Sequence, residues 1–112
     1  MAIDFGMGDF YQEGIIYDST EKNNFITSKD LYESFHNFSG WLIGSPNTPS
    51  CKSFIIKINR TFPQMAKNFC KKRFGKKLKQ GYKFLRFTPT GEAHLRAFLF
   101  EKQNGLNFYR PS

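Results

Sequence analysis

The chain has no acidic residue from Ser34 to Gly91, although nine Asp and Glu occur among its 112 residues. Its formal net charge is +8, and twelve of the seventeen Lys and Arg lie between Lys52 and Arg86. Solvated protein surfaces usually mix charges of both signs, so this segregation predicts a dipolar molecule whose basic half attracts phosphate groups. We therefore expect a polyanionic partner, and nucleic acid is the first candidate.

Other absences narrow the class of protein. Cys51 and Cys70 are the only cysteines, too few for a disulfide scaffold and without CxxC spacing, so both are expected to be reduced. No apolar run approaches the roughly 18 residues of a membrane-spanning helix. The first ten residues contain two Asp and no Lys or Arg, unlike a signal peptide. These features predict an intracellular protein, cytoplasmic or nuclear in a host cell, that is not secreted and has no membrane partner.

The chain also offers few of the convergent titratable groups that catalysis needs. His36 lies among Phe residues, and His94 stands two residues after Glu92, which on a helix places the two side chains on different faces. The two cysteines and two distant histidines lack the usual spacing of zinc ligands. The basic half has no carboxylate to hold the metal ions of a nuclease. We expect no enzymatic activity, no metal and no cofactor.

The aromatic residues, 14 Phe among them, can supply one hydrophobic core in a domain of this length. Charge, periodicity and turn residues then predict an order of elements along the chain. It runs as a flexible arm (1–8), a short helix within 9–17, a turn (19–24), an extended piece (25–26), a helix after Thr27, a loop (44–49), a helix (about 50–61), a basic β-hairpin (about 69–87) and a final helix or strand pair (92–104).

Two of the helices carry sequence signals at their starts. Thr27 can cap the first one, whose apolar residues recur at helical spacing. The second, about 50–61, can be capped by Ser50 or Ser53 and separates an apolar face from a basic face. Its three Ile residues leave a strand as the alternative. Pro63 is expected to end it.

The hairpin is predicted from two short aromatic-rich runs, 69–74 and 82–87. The second run alternates between unlike faces, as a strand does. Between them lies Gly75–Gly81, which is rich in Lys and would form a flexible tip. The last segment, 92–104, slightly favours a helix that ends at Gly105.

A basic helix followed by a basic hairpin is the order of a winged helix, a variant of helix-turn-helix. The residues that occupy these elements also resemble a known family. They are Ile26–Phe35 (ITSKDLYESF), Trp41, Ser53–Phe54, Phe62–Pro63 and Gly81–Arg86. Over about residues 9–88, the chain resembles the winged-helix domain at the C-terminus of poxvirus-type primase–helicases of viruses, phages and plasmids.

The resemblance implies an α+β winged-helix domain over 9–88, with a short C-terminal extension over 89–112. It implies a viral or mobile-element protein that binds duplex DNA in replication or transcription control, with a larger replication complex as one assembly. A homodimer is a second candidate assembly, because the tail from Phe98 to Phe108 is apolar enough to pair with the tail of another copy. The ATPase of those enzymes is not implied, since the chain has no GxxxxGK[ST] motif.

The candidate DNA-binding residues fall into two groups. The recognition helix would present Lys52, Ser53, Lys57, Asn59 and Arg60. The wing would present Lys71, Lys72, Arg73, Lys76, Lys77, Lys79, Lys83 and Arg86. Asn59 and Arg60 are candidates for reading bases, because each can form paired hydrogen bonds, although Asn59 could simply end its helix. Tyr82 is expected to pack in the sheet rather than stack on a base.

Two other partners fit the same charge pattern. RNA or single-stranded nucleic acid is the second choice after duplex DNA, because exposed hairpin aromatics could stack on bases. A viral adaptor or inhibitor that acts on a protein through its basic face is the third. Binding to duplex DNA, single-stranded DNA and duplex RNA of equal length would separate these classes.

Overall fold

The computed structural model describes residues 6–111, which form an α+β fold of five helices and two small antiparallel sheets. The helices are α1 (Met7–Glu13), α2 (Ser28–Phe38), α3 (Cys51–Thr61), α4 (Pro63–Asn68) and α5 (Pro89–Gln103). The strands are β1 (Ile15–Tyr17), β2 (Phe25–Thr27), β3 (Phe69–Phe74), β4 (Lys77–Lys83) and β5 (Leu85–Phe87). The predicted α+β class is confirmed.

The strands divide between a three-stranded and a two-stranded sheet. The larger has the order β2-β4-β3, with Ile26 opposite Tyr82 and Phe69 also opposite Tyr82. The smaller pairs β1 with β5, with Ile16 opposite Arg86. β4 is therefore the central strand. Its hairpin partner β3 lies on one side, and β2, which leads into α2, lies on the other.

Side-chain caps set the starts of three helices. The Thr27 hydroxyl accepts a hydrogen bond from the Asp30 amide at 3.1 Å, as predicted for α2. The Ser50 hydroxyl accepts from the Ser53 amide at 3.1 Å, so Ser50 is the cap of α3 and the helix prediction there is confirmed over the strand. Thr88 caps α5 in the same way.

The core lies where α1, α2 and α3 meet the central strand β4. Phe35 is fully buried and packs its ring 4.9 Å from that of Phe54 and 5.3 Å from that of Phe10. The buried apolar residues of this cluster are Met7, Phe10, Ile15, Ile26, Leu31, Phe35, Phe54, Ile55, Ile58, Met65, Tyr82 and Leu85. Aromatic rings thus supply much of the core, as the composition indicated.

The beginning of the chain differs from the prediction. α1 ends at Glu13, and Ile15–Tyr17 form a strand, so the predicted helix over 9–17 is wrong in its second half. Gly14 allows the break, since a Cβ there would lie 2.7 Å from the Phe10 ring. Met7 belongs to α1 and is buried, so the predicted arm does not extend to residue 8; residues 1–5 of that arm lie outside the described part.

α3 ends at Thr61, as expected before Pro63, but a further helix begins after the single extended residue Phe62. Pro63 instead occupies the first turn of α4. Proline suits that position, because its ring fixes a helical φ and its missing N–H would have no partner in the first turn. Met65 is fully buried, so α4 seals one end of the core before β3 begins.

The predicted hairpin exists, but its tip and its second strand lie elsewhere. β3 and β4 turn tightly through Gly75 and Lys76, and β4 begins at Lys77, so the flexible seven-residue tip is wrong. Gly75 has φ +63, which a glycine adopts without strain. β4 ends at Lys83, because Phe84 adopts φ 66 and breaks the strand. Residues 85–87 then leave the hairpin and pair with β1.

The C-terminal segment forms a helix, which settles the two alternatives left open by the sequence. α5 packs along α2: the buried Ser34 hydroxyl donates to the Gly91 carbonyl at 2.7 Å. The His36 and Phe98 rings lie 5.0 Å apart in an edge-on arrangement. The helix ends at Gln103, and Gly105 follows with φ +67. This segment is thus built into the helical layer rather than extending from it.

A candidate nucleic-acid interface

The β3–β4 hairpin concentrates positive charge on exposed side chains. From Phe69 to Lys83 it contains no Asp or Glu. All seven of its basic residues are exposed: Lys71, Lys72, Arg73, Lys76, Lys77, Lys79 and Lys83. The ion pair found within residues 6–111, between Glu92 and Arg96, lies on α5. The hairpin therefore carries positive charge that no carboxylate of the described chain neutralises.

The strand register divides these residues between two faces. Residues opposite each other in an antiparallel pair share a face, and successive residues alternate. The inner face, which is directed toward α3, holds Phe69, Lys71, Arg73, Leu78, Gln80 and Tyr82. The outer face holds Cys70, Lys72, Phe74, Lys77, Lys79 and Gly81, together with Lys83 and Phe25. The predicted wing is thus two surfaces rather than one.

The inner face and α3 border a common groove. Ile55 and Ile56 of α3 and Phe69 of β3 line its apolar part. Lys52 at the start of α3 and Gln80 of β4 line the groove as well, and Gln80 is paired with Lys71. The structure therefore brings the start of the predicted recognition helix and the inner face of the wing onto one surface.

The predicted α3 residues do not all point outward. Lys52 and Arg60 are exposed, and Lys57 is half-buried. Ser53 is exposed, but its amide and hydroxyl both bond the Ser50 hydroxyl, at 3.1 Å each. Ser53 thus serves the cap of α3, which leaves Lys52 and Arg60 as the most accessible cations of this helix.

Asn59 faces the core. Its side-chain carbonyl accepts a hydrogen bond of 2.7 Å from the hydroxyl of Tyr82, a fully buried residue. Burial raises the pKa of Tyr82, so the phenol keeps its proton and remains a donor. A paired contact with adenine needs both amide atoms of Asn, so this geometry does not support Asn59 as a base reader. It also confirms that Tyr82 packs in the sheet.

Two residues assigned to the wing lie apart from its inner face. Lys83 sits on the outer face opposite Phe25, with its ammonium 5.5 Å from the centre of the Phe84 ring. Arg86 belongs to β5 in the two-stranded sheet. Hydrogen bonds from Thr20 lower the pKa of Asp18, and the nearby Arg86 charge adds to this. The sequence could not separate them, because the break at Phe84 has no Gly or Pro to mark it.

The outer face adds two aromatic residues that the candidate set omitted. The Phe25 and Phe74 rings lie 5.6 Å apart, and Phe74 is 43% exposed. The Lys72 ammonium lies 5.4 Å from the centre of the first ring and 5.6 Å from the second. Phe25 is 49 residues away from Phe74 in sequence, so only the pairing of β2 with β4 brings them together.

The buried titratable groups belong to the packing of α2. Burial raises the pKa of Glu33 and of Cys51 and lowers the pKa of His36, so all three are held toward their uncharged forms. Across residues 6–111, no three His, Cys, Asp or Glu side chains lie close enough to hold a metal ion. Both cysteines are free.

Fold and charge together define an α+β protein with a basic helix-and-hairpin surface. Comparison of the chain with protein-family models, curated proteins and solved structures gave no match. Within the described range, no helix is both long and apolar enough to cross a membrane.

Proposed function

We propose that this protein binds duplex DNA as a winged helix, with α3 as the recognition helix and the inner face of the β3–β4 hairpin as the wing. One observation carries the proposal: α3 and the inner face border one groove, and every ionised side chain from Lys52 to Lys83 is positive. Such a surface is opposite in charge to a phosphate backbone, and its helix can lie in the major groove of DNA.

The connectivity supports the winged-helix interpretation. β2 leads directly into α2, a loop connects α2 to α3, and the hairpin follows after α4. β2 then pairs with β4, the returning strand of the hairpin, which gives the order β2-β4-β3. The sheet that contains the wing also contains β2, the strand that leads into α2. In the proposed function, this sheet holds the wing beside the recognition helix. The resemblance to primase–helicase domains further supports a role in replication or transcription control.

The accessible residues divide into positioning and reading roles. Lys52, Lys71 and Arg73 would contact phosphates, together with Lys76 at the hairpin turn. Arg60 is the best candidate for reading a base, since an exposed guanidinium can donate two hydrogen bonds to guanine in the major groove. α3 has 11 residues and so is about 16 Å long, enough to lie in a major groove about 12 Å wide.

The test is the salt dependence of binding to a labelled duplex, followed by fluorescence anisotropy. Four phosphate contacts, from Lys52, Lys71, Arg73 and Lys76, predict a slope of log affinity against log salt of about −3.6, at about 0.9 per phosphate. The double variant Lys71→Gln/Arg73→Gln should reduce the magnitude of that slope by about 1.8. Duplex RNA of equal length should bind more weakly, because its narrow major groove does not admit a helix.

A charge-matched control separates this surface from net charge alone. Lys22 and Arg110 are exposed and lie outside the hairpin and α3, so Lys22→Gln/Arg110→Gln removes the same two charges. This control should leave the slope close to that of the parent protein. A slope near zero for the parent, or equal losses in the two double variants, would rule out the proposed surface.

A further inference from the structure

The outer face of the three-stranded sheet combines aromatic rings with lysines in a way that duplex binding does not use. Two of its side chains, Phe25 and Phe74, are aromatic, and four are Lys72, Lys77, Lys79 and Lys83. This face is opposite the one that borders α3. Phosphate contacts by the inner face therefore leave it free for another ligand.

The position of the Phe25 ring depends on a glycine. In β2 the neighbouring Ile26 is buried in the core, and Phe25 points to the other side of the sheet. Its ring lies against Gly81 of β4, where a Cβ would approach the ring to 2.6 Å. Gly81 thus lets an aromatic ring rest on the sheet outside the core.

Two of the lysines lie over these rings, and no hairpin lysine pairs with a carboxylate among the residues that the structure describes. The Lys72 ammonium contacts both rings, and the Lys79 ammonium lies 5.7 Å from the centre of the Phe74 ring. Phe74 is 43% exposed, so part of its ring is open to a ligand beside these cations. A ligand with flat apolar faces and negative charge at regular intervals would cover the rings and pair the lysines together.

We propose that this outer face binds an unpaired nucleic-acid strand, with bases stacked on Phe25 and Phe74 and phosphates held by Lys72, Lys77, Lys79 and Lys83. A duplex cannot take this role, because its bases are already stacked on one another. An unpaired strand exposes both faces of each base, and aromatic side chains bind such faces irrespective of base identity. The proposal does not depend on duplex binding, since the two use opposite faces of the sheet.

The test compares a labelled thymidine oligonucleotide with an abasic oligonucleotide of the same length, which has the same phosphates and no bases. The whole protein should bind the thymidine strand at least about tenfold more tightly at equal salt, the scale of stacking on one or two rings. Phe74→Leu should remove most of that preference while leaving affinity for the abasic strand unchanged. Lys72→Gln/Lys79→Gln should weaken binding to both strands.

Two further measurements keep the result interpretable. Thermal unfolding of Phe74→Leu should match the parent protein closely, since the ring lies at the exposed end of β3. Lys71→Gln/Arg73→Gln on the inner face should weaken duplex binding and spare the thymidine strand. A parent protein that binds the strand but no duplex would refute only the duplex proposal.

Three results would overturn the inference. Equal affinity for the thymidine and abasic strands would show that the bases are not contacted. Retention of the preference in both Phe74→Leu and Phe25→Leu would place the stacking elsewhere. Competition by polyglutamate as strong as that by the thymidine strand would assign the face to acidic polymers in general, including acidic segments of proteins.

Discussion

The hydrogen bond between Asn59 and Tyr82 joins α3 to the central strand β4. Its removal should lower the stability of the fold and leave the DNA sequence preference that we propose for α3 unchanged. The Asn59→Ala variant leaves the Tyr82 hydroxyl buried without its acceptor. A buried hydroxyl without a partner costs about 1–3 kcal/mol. In a domain of this size, each kcal/mol lowers Tm by roughly 4–8 °C. The expected decrease in Tm is therefore at least about 4 °C.

The partner variant Tyr82→Phe should be milder. Asn59 is half-exposed, so its carbonyl can accept from water once the phenol is gone, and the loss should be about 1 kcal/mol. The double variant should then be more stable than the two single losses predict, because Phe removes the hydroxyl that Asn59→Ala leaves unpaired. A coupling energy between about 0.5 and 3 kcal/mol is expected for two residues in contact.

Thermal unfolding of the four proteins, followed by circular dichroism, gives the coupling directly. Anisotropy titrations with two duplexes of different sequence show whether each substitution changes the sequence preference of DNA binding. Arg60→Ala serves as the contrast, and it should lower affinity with no change in Tm. An Asn59→Ala protein with the parent Tm and an altered preference between the duplexes would refute the structural role and restore Asn59 as a base reader.

Three other substitutions test the packing. Gly81→Val should destabilise by about 1–3 kcal/mol in chemical denaturation, because its Cβ would lie 2.3 Å from the Ile26 carbonyl oxygen. Ser34→Ala should lose about 0.5–1.5 kcal/mol in the same assay, because it removes one buried hydrogen bond while the Gly91 carbonyl keeps its donor within α5. Burial raises the pKa of Glu33 above 4.5, so the stability it contributes is lost as pH rises through the folded-state value. Glu33→Gln should therefore have a higher Tm than the parent at neutral pH, and this advantage should vanish below pH 4.5.

Local signals in the sequence predicted where α2 and α3 begin. Thr27 and Ser50 cap α2 and α3 as expected, because capping depends on side chains only three residues apart. The structure of the segment before α2 was harder to predict from local signals. Ile15–Tyr17 was assigned to a helix, and it forms a strand because residues 85–87 offer it a partner. Pairing across some 70 residues has no local sequence signal.

The candidate site was predictable in charge and less so in geometry. Composition alone identified the cluster of basic residues and the absence of acidic residues among them. Which face each residue occupies depends on the turn, however, and that turn is the two residues Gly75–Lys76 rather than seven. Asn59 illustrates the same limit, since its direction toward Tyr82 follows from packing of α3 on β4.

The hairpin charge has a second consequence, which concerns contact between copies of the protein. β3 is an edge strand of its sheet, and exposed edges tend to pair with edges of other molecules. The end of the hairpin also exposes Phe74 and Leu78. Lysines along such an edge keep copies apart by repulsion. Variants in which several hairpin lysines are neutralised should therefore self-associate at high concentration. Under the proposed function, the lysines that would bind phosphates would also disfavour pairing between the edges of two copies.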